Sequence, residues 1–393
     1  MKKIVFVTGI ILLTFTVKAQ LVSVNGYIKD MQGIYLFDDP LPTTNGNSIR
    51  SISYNLVHNR IDFKVYPTPN LTVALELRNR LFSGKIVEQI PNYASLIASD
   101  DGLIDLSWNI VEDDHYFLNT AIDRVYIDYT FGNWQIRAGR QRINWGINLV
   151  WNPNDIFNAF SYMDFDYEER PGSDAVLATW YPSISSSVDV AYKAADSIAN
   201  RAWAAKYRFN KYNYDFQVLA GQAGYDYVLG AGWSGNILNF GFRGEASYFK
   251  PLDEYKNQSK EGLSASVSLD YSFENSIYLH TSFLYNSLGT TEKGESFSLI
   301  DPTMQLSAKK LSIGRYELFG QVSYPIGTLF NVSAAAMLNP VDWSMFVGPA
   351  LGISLQDNLE LYLTSQITLG DTGTEYAAMG NLYALFGRLR WSF

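Results

Sequence analysis

Between Leu71 and Arg80 the apolar and polar side chains take turns. Leu71, Val73, Leu75 and Leu77 occupy one parity, and Thr72, Glu76, Arg78 and Arg80 the other. Further on, Arg124 and Asp128 precede a Gly132-Asn133 break, and Arg137, Arg140 and Arg142 follow it. Guanidinium groups repeated at such spacing make a stripe of fixed positive charge, with Glu76 and Asp128 as local counter-charges. A stripe of this kind steers and orients polar solutes; it does not by itself break bonds. The side chains that usually do so are scarce. Cysteine is absent, which removes thiolate chemistry, disulfides and Cys-ligated metals together. Histidine occurs only as His58, His115 and His280, with no H-x-x-x-H or G-x-S-x-G pattern. Asp100-Asp101-Gly102 and Asp113-Asp114-His115 could hold a divalent cation through carboxylates, but solvated acidic loop tips are the better reading. The expectation is no enzyme, no cofactor and no metal.

The period of the stripe names the element that carries it. A period of two is that of a β-strand with unlike faces. It returns where Leu359, Leu361 and Leu363 oppose Glu360, Tyr362, Thr364 and Gln366. It returns again where Tyr316, Leu318, Val322 and Tyr324 oppose Arg315, Glu317, Gln321 and Ser323. Turn sequences punctuate such runs at Pro67-Thr68-Pro69-Asn70, Gly132-Asn133, Tyr181-Pro182 and Asn210-Lys211-Tyr212-Asn213. Gly235-Asn236, Glu274-Asn275, Pro325-Ile326-Gly327 and Gln356-Asp357-Asn358 do the same further on. Each suits a tight hairpin. Longer polar connections lie between them: Ser83 to Asn119, Gly146 to Gly172, Pro251 to Glu261, and Ser287 to Lys309. Eight tight turns join sixteen strands, and one more at each end makes eighteen; a miscounted hairpin would make sixteen.

The fold class is therefore all-β: a transmembrane antiparallel β-barrel of 16–18 strands, best taken as 18, over residues 20–393. Its short turns would be periplasmic and its long loops extracellular. A mid-strand arginine facing lipid costs roughly 2–4 kcal/mol. Glu76, Arg78, Arg80, Arg124, Asp128 and Arg137 accordingly belong on a wet inner wall, lining a pore. A barrel this wide leaves an aqueous lumen unless loops fill it.

A soluble β-sandwich alternates too, and the chain ends separate the cases. Lys2 and Lys3, the apolar run Ile4 to Val17 and Val17-Lys18-Ala19 have the layout of a secretory signal peptide over residues 1–19. The run is about 14 residues, too short for a spanning helix. At the other end Tyr383, Leu385, Leu389, Trp391 and Phe393 alternate with Ala384, Arg388, Arg390 and Ser392. This strand resembles the ending of bacterial outer-membrane proteins, and the resemblance implies the barrel-assembly machinery as its partner. Aromatic residues make up 15% of the chain, with 27 Tyr and 23 Phe, enough for two girdles against outer-membrane lipids. Trp134, Tyr324, Trp391 and Phe393 adjoin tight turns or the chain end and should sit in the periplasmic girdle. A formal net charge of −9 without a basic run argues against nucleic acid.

The stretch Gly139-Arg140-Gln141-Arg142-Ile143-Asn144-Trp145-Gly146, followed by Asn152-Pro153-Asn154-Asp155, resembles a recurrent pattern of the uncharacterised DUF1302-like porin group. The resemblance implies a porin-like barrel and says little about the solute. Parity set by Trp134, Ile136 and Ala138 would put Arg140 and Arg142 in lipid. A one-residue bulge at Gly139 would turn both inward and send Ile143 and Trp145 outward. The alternative is a strand that has already risen above the membrane by Arg140. The connection after Gly146 carries Asp155, Asp164, Asp166, Glu168 and Glu169. Folded into the lumen, it would set acid against the arginines as a charged constriction; left outside, it would be a solvated lid. The functional expectation is a passive channel for small polar or charged solutes in the outer membrane of a Gram-negative cell. An accessory barrel handling a polypeptide or surface polymer is a second class, and a barrel enzyme a third. Bilayer conductance, a stable co-purifying partner and His-dependent hydrolysis tell them apart.

Overall fold

The computed structural model describes residues 21–42, 48–159, 162, 172–292 and 306–393. The expected signal peptide, and Asp164, Asp166, Glu168 and Glu169, lie outside these described residues.

The alternating runs form β1 (Val22–Pro42), β2 (Ser48–Thr68), β3 (Leu71–Ser83), β4 (Ser107–Glu112), β5 (Tyr116–Phe131) and β6 (Trp134–Gln141). Next come β7 (Ser173–Ser183), β8 (Ser186–Lys193), β9 (Ala202–Lys211), β10 (Tyr214–Ala223), β11 (Asp226–Ile237) and β12 (Phe240–Pro251). The last are β13 (Gly262–Ser272), β14 (Tyr278–Asn286), β15 (Tyr316–Ile326), β16 (Phe330–Leu338), β17 (Met345–Gln356), β18 (Leu359–Leu369) and β19 (Leu382–Ser392). Neighbours pair antiparallel in chain order, and β3 pairs directly with β5. The short β4 pairs with no strand but β5, so it stands outside the ring. The ring is therefore eighteen strands, closed by β1 on β19 from Tyr27↔Ser392 to Phe37↔Leu382. Closure gives every strand two neighbours and leaves no unpaired edge, the condition for a sheet to stand in hydrocarbon.

Eight tight connections share one rim with both described chain ends. Gly26 and Phe393 exchange backbone hydrogen bonds of 3.0 and 2.9 Å there. Two turns fall later than their residues suggested. β7 runs through Tyr181-Pro182 to Ser183, and β11 runs through Gly235-Asn236 to Ile237. Leu238 then makes the β11–β12 turn at φ 56°, a conformation that a sequence reader assigns to Gly or Asn first. On the opposite rim the connections are mostly long, but β10 and β11 are joined by Gly224-Tyr225 alone. The long polar stretch after β3 is also not all loop. It contains α1 (Lys85–Gln89), α2 (Tyr93–Ile97), β4 and the start of β5.

The outer wall is apolar as the parity requires, with Val73, Ile127, Leu229, Leu318 and Leu363 all exposed. Trp134, Tyr324, Trp391 and Phe393 are exposed beside the tight turns, and Trp134 stacks on Trp180 at 6.0 Å between ring centroids. Asp30 and Gln32 interrupt this surface. They are exposed, joined by a 2.8 Å hydrogen bond, and Asp30 is in register with the outward Val57 and Leu389. Inside, the extracellular half near the seam is filled by Met31, Tyr35, Leu56, Phe82, Phe117 and Phe386, packed against Ile86 of α1 and Tyr93 of α2. That packing narrows the lumen directly above the charged row.

Candidate functional site

Register gathers the predicted charges onto one wall. Arg60 stands opposite Arg78, and Asp62 opposite Glu76, across β2 and β3. Glu76 stands opposite Arg124 and Thr72 opposite Asp128 across β3 and β5, and Asp128 opposite Arg137 across β5 and β6. Directly opposed residues share a face, and the other parity (Val57, Val73, Val125, Ile127) is exposed outward. The charged row therefore faces the lumen.

Arg60 is its hub. Only 1% exposed, it donates to Asp62 at 2.8 Å and to Asp123 at 2.5 Å, and it also pairs with Glu76. Arg78 reaches Asp123 at 2.9 Å, Arg124 reaches Glu76 at 3.4 Å, and Arg137 reaches Asp128 at 2.5 Å. Arg80 donates to Asn119 at 2.9 Å. The row continues across the seam through Lys29, in register with both His58 and Arg390, and through Arg388. Aromatic rings support several of these cations: Arg390 lies 4.4 Å over Tyr27, Arg388 4.9 Å over Tyr362, and Arg137 4.9 Å over Tyr126. From β18 to β6, nine cations (Lys29, Arg60, Lys64, Arg78, Arg80, Arg124, Arg137, Arg388, Arg390) meet five carboxylates (Asp62, Glu76, Asp123, Asp128, Glu360). The excess is four positive charges.

Sequence reasoning missed Lys29, Arg60 and Asp123. Asp123 is reached through a bulge. Register steps from Glu76↔Arg124 to Leu77↔Ile122, so Asp123 and Arg124 together oppose one residue and both meet the inner cluster. The bulge expected at Gly139 is thus absent, and β6 pairs with β5 and β7 without a shift. Gly139 does carry φ +119°, where a Cβ would meet the Val125 carbonyl at 2.3 Å, but the parity runs on. Arg140 consequently shares the outward side with Val125 and with Asp174. It stays out of lipid because the loop after β3 covers it. Its guanidinium bonds Asp174 at 2.7 Å, Asp100 at 2.5 Å and the Ile104 carbonyl at 2.6 Å. Asp174 also accepts the Leu103 and Ile104 N–H groups. Arg140 therefore ties a loop to the wall and is no part of the lumen row, while Arg142 opens the following connection, half-buried.

That connection enters the barrel. Ile143 and Trp145 are 1% and 3% exposed, inside and not outward, and Trp145 meets Phe157 at 4.9 Å. The chain crosses to the wall made by β10–β13. Gln217 donates to the Trp145 carbonyl at 2.7 Å, Ser266 to the Trp151 carbonyl at 2.9 Å, and Ser247 to Asn154 Oδ1 at 2.8 Å. Trp151 and Tyr162 then reach Phe319 of β15. The excursion closes on itself where the Ile143 N–H meets Asn158 Oδ1 at 3.4 Å. Asp155 does not confront the arginines across a gap. It is fully buried where the segment folds back, and its Oδ1 accepts the Trp145 N–H at 3.4 Å. Among the described residues, the acids that pair with the row's arginines sit on the same wall.

Among the described residues, hollows lie beside the row. One of about 720 Å³ lies at the tight-turn end, against Asn331, Ser333, Gly352, Glu360, Tyr362 and Arg390. A smaller one of about 210 Å³ lies between Arg137, Thr179, Asp189, Lys206 and Arg208. Small inward residues on β16 and β17 leave the first space open.

No family model and no curated protein matches the chain. Solved structures do. Acinetobacter baumannii OccAB4 is 9% identical with a TM-score of 0.58, over 95% of this chain and 99% of that one. Pseudomonas aeruginosa OccK9 (OpdG) is 10% identical with a TM-score of 0.59, over 95% and 98%. Acinetobacter baumannii OccAB3 is 11% identical with a TM-score of 0.57, over 95% and 99%. At such identities the likeness establishes the fold. The chain has the architecture of the Occ outer-membrane porins over nearly its whole length.

Proposed function

We propose that this chain is an outer-membrane channel for passive diffusion of small polar or charged solutes. The observation that carries this reading is the inner wall itself: a closed eighteen-strand ring whose lumen row holds four more cations than carboxylates. Confinement in a narrow space with low-dielectric walls strengthens such a field. The row favours entry of anions and of solutes that present a carboxylate or phosphate, and holds cations back. The segment crossing from β6 narrows the lumen against the opposite wall, so solute passes between it and the arginines. Within this reading the Gly139–Gly146 and Asn152–Asp155 pattern sets the chain beside the DUF1302-like porins, because those residues build the covered Arg140 tie and the crossing segment. The signal peptide is removed before Gln20, and the closing strand β19 is the one offered to the barrel-assembly machinery. Liposome swelling with a panel of sugars, amino acids and anions tests the function. Small anions should enter faster than cations of equal size; folded barrels that admit none of the panel would overturn the proposal.

A further inference from the structure

One side chain ties both limbs of the crossing segment to the wall. Glu245 projects inward from β12 and is 1% exposed. Its Oε1 accepts the N–H groups of Ile147 at 3.0 Å and Asn148 at 2.9 Å, and its Oε2 accepts the N–H of Asn154 at 2.9 Å. Ile147 and Asn148 belong to the outgoing limb of the excursion and Asn154 to the returning one. Both limbs are thus tied to a single point on the wall. The segment forms no helix or strand here, so these amides have no ladder partners to fall back on.

We propose that Glu245 is the positioning residue that fixes this segment across the lumen and so sets the cross-section left for solute. The inference rests on the channel reading and adds the device that gives the channel one width. Further polar anchors are Gln217 to the Trp145 carbonyl, Ser247 to Asn154 Oδ1, Ser266 to the Trp151 carbonyl, Ser268 to Asn148 Oδ1, Asn148 Nδ2 to Ser266, and Lys193 to the Phe157 carbonyl at 3.4 Å. Each of these serves one or two points, whereas the Glu245 carboxyl group accepts three N–H groups drawn from both limbs. The apolar contacts of Trp145 with Phe157 and of Trp151 with Phe319 hold the segment inside without fixing its register. Glutamine at 245 keeps the volume but turns an amide NH2 toward at least one N–H donor, so even this small change opposes donor to donor.

The test compares the parent with Glu245→Gln and Glu245→Ala, refolded in lipid and checked for the heat-dependent gel shift of an intact barrel. Amide exchange over residues 142–159 should rise about tenfold or more at Ile147, Asn148 and Asn154. Single-channel records should change from one conductance level to several. The chain has no native cysteine, so Asn154→Cys with Ser247→Cys, at side chains 2.8 Å apart, gives a clean crosslink in the Glu245→Ala background. Oxidation should restore one level and reduction should release it. Parental exchange rates and a single level in both Glu245 variants would overturn the proposal, as would a crosslink that restores nothing. A parent that never conducts, while the variants still loosen these amides, would sink the channel reading and leave the anchor standing.

Discussion

Reversing Arg78, Arg80 and Arg124 to glutamate turns the lumen wall from an excess of four positive charges to an excess of two negative ones, because each reversal counts twice. A monovalent ion passing about 8 Å from one charge in water feels about 0.5 kcal/mol. Screening over a Debye length of about 10 Å at 0.1 M salt leaves about 0.2 kcal/mol. Six charge units then amount to about 1.4 kcal/mol, a tenfold change in anion partitioning with the opposite sign for cations. Arg60 still pairs with Asp123 and Glu76, the acids that Arg78 and Arg124 would abandon, so the barrel should fold. The assay is the zero-current potential under a KCl gradient in a planar bilayer. The parent should prefer anions, the triple glutamate variant cations, and a triple glutamine variant should fall between them. An unchanged zero-current potential in folded triple variants would refute the assignment of these arginines to the solute path.

Arg60→Met leaves Asp62, Glu76 and Asp123 without their shared partner and should cost about 3–5 kcal/mol in urea unfolding from lipid; a loss below 1 kcal/mol would mean that the cluster is not dry. Asp30→Leu should raise stability by about 1 kcal/mol if that carboxylate meets acyl chains, and no gain would place it in the headgroups. His115, on the exposed loop before β5, is held above the ordinary histidine range by its 2.8 Å bond to Glu88, so the pair persists at low pH and is lost as pH rises through the shifted value. Glu88→Gln should bring that titration down, read from the pH profile of diethylpyrocarbonate modification, since His58 and His280 are buried; an unmoved profile would mean that the pair does not form.

Much of the barrel was readable because period-two alternation and turn residues are local signals. Leu71 to Arg80 announced its faces, and Tyr212-Asn213 makes its turn with φ values of 55° and 62°, as the Asn suggested. Leu238 did not announce itself, since nothing in a leucine marks a positive φ. Bulges are equally silent: Gly139 looked suited to one, but the extra residue is Asp123, whose place is set by the salt bridges it completes. Arg60 and Lys29 lay in alternating strands too, and the match of Arg60 with Arg78 appears only once register is known. The course of the segment after β6 was the least readable. Its polar atoms are satisfied by Gln217, Glu245, Ser247 and Ser266, 72 to 115 positions away in sequence, and hydrophobic periodicity carries no trace of such pairings.

The central claim is tested most directly by adding the refolded, heat-modifiable protein to one side of a planar bilayer in KCl. Discrete conductance steps with an anion-preferring zero-current potential are the predicted result. Barrels that insert in folded form and pass no current would contradict the account.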